Sequence, residues 1–192
     1  MAYPTVSAPY GLKAINRVDG MPYAGAIRQI PMASGYTATF FGDTVQIVDG
    51  YLNKDAGTTA ATPCGVFVGC QYVNSLGQTV QAQYAPAGQT DCVGYVVDDP
   101  MAAFQVAVVS GTTVIAAVSR SVVGSNMALV QNAGNVPTGD SGVAVLSSSS
   151  ATTNTLPIRV IDVVPATATG ADAYVELIVK INTHQYNNTT GV

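Results

Sequence analysis

Val and Thr dominate this chain where Leu, Lys and Glu would dominate a helical one. Its 192 residues include 28 Val and 20 Thr, against 7 Leu, 3 Lys and a single Glu, Glu176. β-branched side chains are stiff at χ1 and suit a pleated surface. Unbranched stems, which keep their rotamer freedom in a helix, are scarce. Nineteen Gly and ten Pro then interrupt the chain, so strands must be short and turns frequent. The expected fold is all-β, a compact sandwich or barrel of short antiparallel strands.

Patterning along the chain places the elements. Residues 1–20 carry Tyr3-Pro4, Pro9-Tyr10-Gly11 and Asp19-Gly20 with no clear period, and read as an extended N-terminal arm. Residues 21–184 form the all-β domain, and the polar stretch 185–192 a flexible tail. Within the domain, strands are expected at 36–41, 44–48, 65–73, 78–84, 92–97, 104–109, 112–118, 157–164 and 174–182. Asp49-Gly50 is a two-residue hairpin signal, and Gly65 and Gly69 suggest a bulge or a close backbone approach. Asp98-Asp99-Pro100 predicts a capped single helical turn, and Ser125-Asn126 can cap a short helix or a loop over 127–130. In 174–182, Val175, Leu177, Val179 and Ile181 alternate inward against Tyr174, Glu176, Lys180 and Asn182, with Ile178 out of step.

Composition narrows the function. With 48% hydrophobic and 9% charged residues, the chain is too apolar and too weakly charged to be disordered. It has no unpunctuated apolar run of the length a membrane helix needs. Seven scattered Lys and Arg against eleven Asp and Glu argue against nucleic acid, whose counterions must be displaced by clustered basic groups. Met1-Ala2-Tyr3-Pro4-Thr5 lacks the basic and apolar regions of a secretory signal, and three cysteines read as free thiols imply synthesis in a reducing cytoplasm. A surface so poor in charge must be covered by Thr, Ser, Asn, Gln, Gly and Ala, and reads as one to be partly covered by neighbours.

Candidate chemistry is thin. Gly139-Asp140-Ser141-Gly142 matches the residues around a serine-protease nucleophile. That chemistry needs a His base oriented by an Asp, and the one histidine, His184, follows the Ser near the end of the sequence. A turn built from turn-forming residues is the expected reading. Cys64, Cys70 and Cys92 lack the paired spacing and ligand number of a zinc site. Their odd number suits no disulfide framework, so they are expected as buried free thiols. Asp98-Asp99 suits a turn better than a calcium loop. Two glycosylation acceptors at 187–190 carry little meaning without a secretory signal. No enzymatic activity, metal or cofactor is expected. A carbohydrate-binding role is disfavoured by the absence of Trp.

Several blocks form a familiar order. They are Gly11-Leu12-Lys13-Ala14, then Gly25 to Ile30, then Ser34-Gly35-Tyr36 leading to Gly42-Asp43-Thr44-Val45. Gly65-Val66-Phe67-Val68-Gly69-Cys70, Tyr95-Val96-Val97-Asp98-Asp99-Pro100, Phe104-Gln105-Val106 and Val179-Lys180-Ile181-Asn182-Thr183-His184 follow. Together, over about residues 10 to 184, the sequence resembles tailed-phage capsid decoration (cement) proteins. The resemblance implies an all-β virion protein that stabilises an assembled phage head. It would bind the outer surface of the major capsid protein as a homotrimer or dimer. The arm would then supply capsid contacts, with Tyr3, Tyr10, Leu12 and Ile15 as its contact residues. The alternative is another virion subunit, of the shell or of a tail or fibre. No long amphipathic helix of the kind that runs as a spine through a shell subunit is visible.

Overall fold

The computed structural model describes residues 9–22, 25–167 and 175–188. The strands are β1 Lys13–Arg17, β2 Arg28–Pro31, β3 Thr44–Val48, β4 Tyr51–Lys54, β5 Gly65–Val73, β6 Thr79–Ala82, β7 Thr90–Val97, β8 Ala102–Val109, β9 Asn126–Met127, β10 Leu129–Val130, β11 Ala144–Leu146, β12 Ile158–Val163 and β13 Glu176–Ile181. Short 3₁₀ turns at Arg120–Val122, Ser147–Ser149 and Gln185–Asn187 are the helical pieces among the described residues. No helix among those residues is long and apolar enough to cross a membrane.

Two sheets organise these strands. The smaller runs β2-β7-β5-β3-β4, with β6 on β5, and a bridge from Met32 to Leu52 draws its ends together. The larger runs β10-β11-β8-β13-β12-β9, with β1 on β8. Its two end strands, β9 and β10, are separated in the chain by Ala128 alone. A single extended stretch therefore pairs with β12 at one end of the sheet and with β11 at the other. That leaves the larger sheet nearly closed into a barrel, which protects its edges. One core fills it, around Leu12, Phe104, Met127, Leu129, Ile158 and Leu177, and Val66 and Val97 of the smaller sheet reach into it. A second core, around Met32, Tyr36, Leu52, Phe67, Cys70 and Cys92, fills the smaller sheet.

Several local signals translate directly. Asp49 and Gly50 have φ of 51° and 83°, the left-handed pair of a type I′ turn, and β3 and β4 pair in register around them. Gly69, at φ 137°, sits at the register shift in β5. In β13 and the residue before it, Val175, Leu177, Val179 and Ile181 are all buried.

Other expectations are corrected. Residues 9–20 are not an arm: Leu12 has no exposed surface, and β1 pairs with β8. An apolar residue followed by a strand gains more from a core than from water. Residues 127–130, expected as a helix or loop, form parts of two strands, because pairing with both ends of the sheet buries Met127 and Leu129. Residues 36–41 and 112–118 make isolated bridges only. Asp98–Pro100 is a turn in which Asp99 Oδ1 accepts the Met101 N–H at 2.8 Å, not a helical turn. Not every pair is antiparallel, since β11 runs parallel to β8. The expected flexible tail starts with a docked residue. The Gln185 side-chain amide accepts from Ile47 N at 2.9 Å and donates to Ile47 O at 3.1 Å, standing in for a neighbouring strand. Residues 189–192, with part of the tail's glycosylation acceptors, lie outside the described residues, as does Tyr174.

Candidate functional site

The Gly-Asp-Ser-Gly motif leads to a buried junction, and the reason lies in two glycines. Gly11 and Gly42 both have positive φ, 79° and 93°, and face each other so closely that a Cβ on Gly11 would stand 2.7 Å from Gly42 O and from Ser141 Cβ. With no side chains between them, four distant segments interlock by backbone hydrogen bonds. Leu12 N donates to Gly42 O at 2.9 Å, Gly11 N to Val143 O at 3.1 Å, Ser141 N to Phe41 O at 2.9 Å and Phe67 N to Asp43 O at 2.9 Å.

At the centre is Asp43, with no exposed surface. Its Oδ1 accepts the Ser141 hydroxyl at 2.6 Å. Its Oδ2 accepts the Phe40 N–H at 2.9 Å and the Lys54 ammonium at 2.8 Å. Ser141 Oγ in turn accepts the Val143 N–H at 2.9 Å. The hydroxyl therefore both donates and accepts, and the carboxylate beside it is matched to a cation. A nucleophilic serine needs a free base to take its proton; this one hands its hydrogen bond to an ion-paired carboxylate inside the protein. The arrangement joins β3, β4 and the 139–143 loop, and fully satisfied polar networks of this kind rigidify a core.

His184 belongs to a different neighbourhood. It is buried, its Nδ1 accepts the Tyr186 N–H at 3.2 Å, and its ring tilts against Tyr186. Burial lowers its pKa, with Asp98 and Asp99 pulling the other way. Tyr186 donates to Asp98 Oδ2 at 3.0 Å and accepts from Arg28. Burial and that carboxylate push the Tyr186 phenol up to about 12. Asp98 and Asp99 point to separate partners, Asp99 pairing with Arg17 at 3.1 Å.

The three cysteines are free and buried, as expected. Cys64 is pushed up to about 12, first by burial and then by Asp98. Cys70 and Cys92 sit side by side in the smaller core. The neighbouring Cys70 thiol draws Cys92 down to about 7, while the same contact and burial push Cys70 up. Among the described residues, no three side chains of the His, Cys, Asp and Glu types gather as metal ligands would.

Of the residues expected to meet a capsid, Tyr3 lies outside the described residues. Tyr10 is buried and donates to Glu176 Oε1 at 2.6 Å, while Gln105 Nε2 donates to Oε2 at 2.6 Å. Burial, reinforced by Glu176, pushes the Tyr10 phenol far up. Leu12 is core, and Ile15 is half-buried in β1. Two surface depressions accompany these networks. One, about 560 Å³, is lined by Tyr10, Lys13, Gln105, Asp140 and Glu176 among others. The larger, about 1080 Å³, lies between the β3–β4 hairpin, the end of β2 and the start of β7.

Sequence reasoning missed the Asp43–Lys54 pair and the Tyr10–Glu176–Gln105 network. An isolated Lys in a strand ordinarily reads as solvated, so Lys54 offers no local signal. The solitary Glu176 in an otherwise Val-, Leu- and Ile-rich strand was the one visible anomaly. No family model, curated protein or solved structure matches this chain.

Proposed function

We propose that the protein is a virion structural component that decorates and stabilises an assembled phage capsid, binding its outer surface as a symmetric oligomer without turnover of any substrate. The observation that carries this reading is where the chemistry-bearing side chains stand. Ser141, Asp43, His184 and all three cysteines are buried, and Lys54 is tied to Asp43. Each is engaged in holding chain segments together or packed in a core. What faces outward is weakly charged and includes Leu76, Val114, Met21 and Val136, exposed by 80, 66, 60 and 55%. Such a surface binds by shape and apolar contact, and a symmetric oligomer multiplies weak contacts through effective concentration. The block order resembling capsid decoration proteins supports the same reading.

The corrected N-terminus changes the truncation that tests it. Removing residues 1–20 would delete Leu12 and β1 from the core, so the informative deletion is residues 1–8, which contains Tyr3. In this reading that deletion weakens capsid binding and leaves the oligomer folded; unchanged binding excludes the segment as the contact. The primary test is electron microscopy of particles assembled with and without the chain. Added density outside the shell, dispensable for assembly and protective against heat, is the expected result. Density within the shell or in the tail would assign the chain to another virion subunit, and failure to associate with particles would overturn the reading.

A further inference from the structure

The smaller core holds an unusual concentration of sulfur. Cys92 Sγ lies 3.5 Å from Met32 Sδ. On the adjacent strand Cys70 pairs with Gly94, two residues along from Cys92, so the two thiols share one face of the sheet, and Cys70 Sγ donates to Tyr84 O at 3.5 Å. That face is the interior: a Cβ on Gly94 would run into Leu52, Phe67 and Met32 side chains. A third polar group is aimed at the same place. Tyr36 is only 4% exposed, its hydroxyl stands beside Cys92, and it has no hydrogen-bond partner of good geometry. A buried donor without an acceptor is costly in a finished core. The cluster is not sealed off, because Met32 and Cys92 also line the larger surface groove.

We propose that Cys70, Cys92 and Met32 form a binding site for a single soft monovalent cation, Cu(I). Two thiols and a thioether are the ligand set that selects a soft d¹⁰ ion over Zn(II), Mg(II) or Ca(II). Three sulfurs about 2.3 Å from a trigonal metal stand about 4 Å from one another, so the Cys92–Met32 pair, at 3.5 Å, needs to open by about 0.5 Å. Binding replaces two S–H bonds by two copper–sulfur bonds, adds the thioether as a neutral donor, and releases two protons to solvent. No electron moves. The resulting thiolates carry excess negative charge, and the Tyr36 hydroxyl then has an acceptor. The groove at Met32 and Cys92 is the entry path. Cys64, in the same core, does not belong to the cluster. This site is independent of the proposed virion role.

The test uses the full chain, reduced and kept free of oxygen, titrated with Cu(I) held as its bicinchoninate complex. One equivalent of Cu(I) should pass to each chain. Cys64→Ala should bind as the parent does, whereas Cys70→Ala and Cys92→Ala should each lose more than ~100-fold in affinity and Met32→Leu at least ~10-fold, as expected for lost ligands. Equimolar Zn(II) should not displace the copper. X-ray absorption on the parent protein needs no variant and guards against misfolded ones: three sulfurs per copper support the site. No transfer from the chelator, binding that survives Cys92→Ala in a folded protein, or a copper shell of two sulfurs or containing nitrogen would overturn it.

Discussion

Replacing Asp43 by Ala should be among the most damaging single changes in the protein, and its size follows from the junction. The substitution leaves the Lys54 ammonium, 14% exposed, without its counter-charge. Removing one partner of a buried pair costs about 3–5 kcal/mol, because the other charge stays behind uncompensated. The Ser141 hydroxyl and the Phe40 N–H also lose their acceptor, each costing about 1–3 kcal/mol when buried. These contributions belong to one network and overlap, so a net loss of about 5 kcal/mol is expected, much of the ~5–15 kcal/mol a domain possesses. Urea unfolding followed by far-UV circular dichroism measures it. The double variant Asp43→Ala/Lys54→Met removes the stranded charge and should recover at least ~2 kcal/mol. Ser141→Ala should lower stability by about 1–3 kcal/mol, since it strips a partner from Asp43 and from Val143 N. If Asp43→Ala lost less than ~1 kcal/mol, the scale of an exposed ion pair, the junction would not be holding the segments together. A Ser141→Ala protein of full stability that had lost an esterase activity would turn the motif back into a catalytic one.

Three further outcomes are expected. Gly11→Ala should cost about 3 kcal/mol or more in the same unfolding assay, through positive φ and collision with Gly42 and Ser141, whereas Gly20→Ala, with φ of 84° and open space around it, should cost about 1 kcal/mol; equal effects would mean the glycine contact is slack. His184 is held neutral by burial below its ordinary value of 6.5. The unfolded chain therefore binds the extra proton first, and the stability His184 contributes is complete above pH 6.5 and declines below it, by at most ~1.4 kcal/mol per pH unit. His184→Asn, which keeps an acceptor for Tyr186 N, should flatten that decline in urea midpoints measured between pH 7 and 5; an unchanged slope would place its origin elsewhere. Gln185→Ala removes both hydrogen bonds to Ile47 and should cost about 1–3 kcal/mol, with faster amide exchange at Ile47 as the local readout; unaltered exchange there would show that water replaces the amide without loss.

What the residues determine on their own is local. Asp49-Gly50 specifies its turn because positive φ at both positions is tolerated by few other pairs. The alternation from Val175 to Ile181 specifies which face of β13 is buried because the strand period is two and a slip by one residue would expose all four. The Val- and Thr-rich composition is enough for a mostly β fold. Partner choice is a property of the assembled chain. Residues 127–130 follow cap-like Ser125-Asn126 and read as a short helix or a loop, yet two opposite sheet ends claim them, and pairing with both outweighs a weak local preference. The Pro-, Gly- and Tyr-bearing start looks like an arm until β8 offers it an edge. Asp43, Lys54 and Ser141 meet across a separation of up to 98 residues, and nothing in the composition of any one segment signals that encounter. Steric and hydrogen-bonding preferences act over a few residues, whereas burial and charge pairing act over distances that exist only once the sheets have formed.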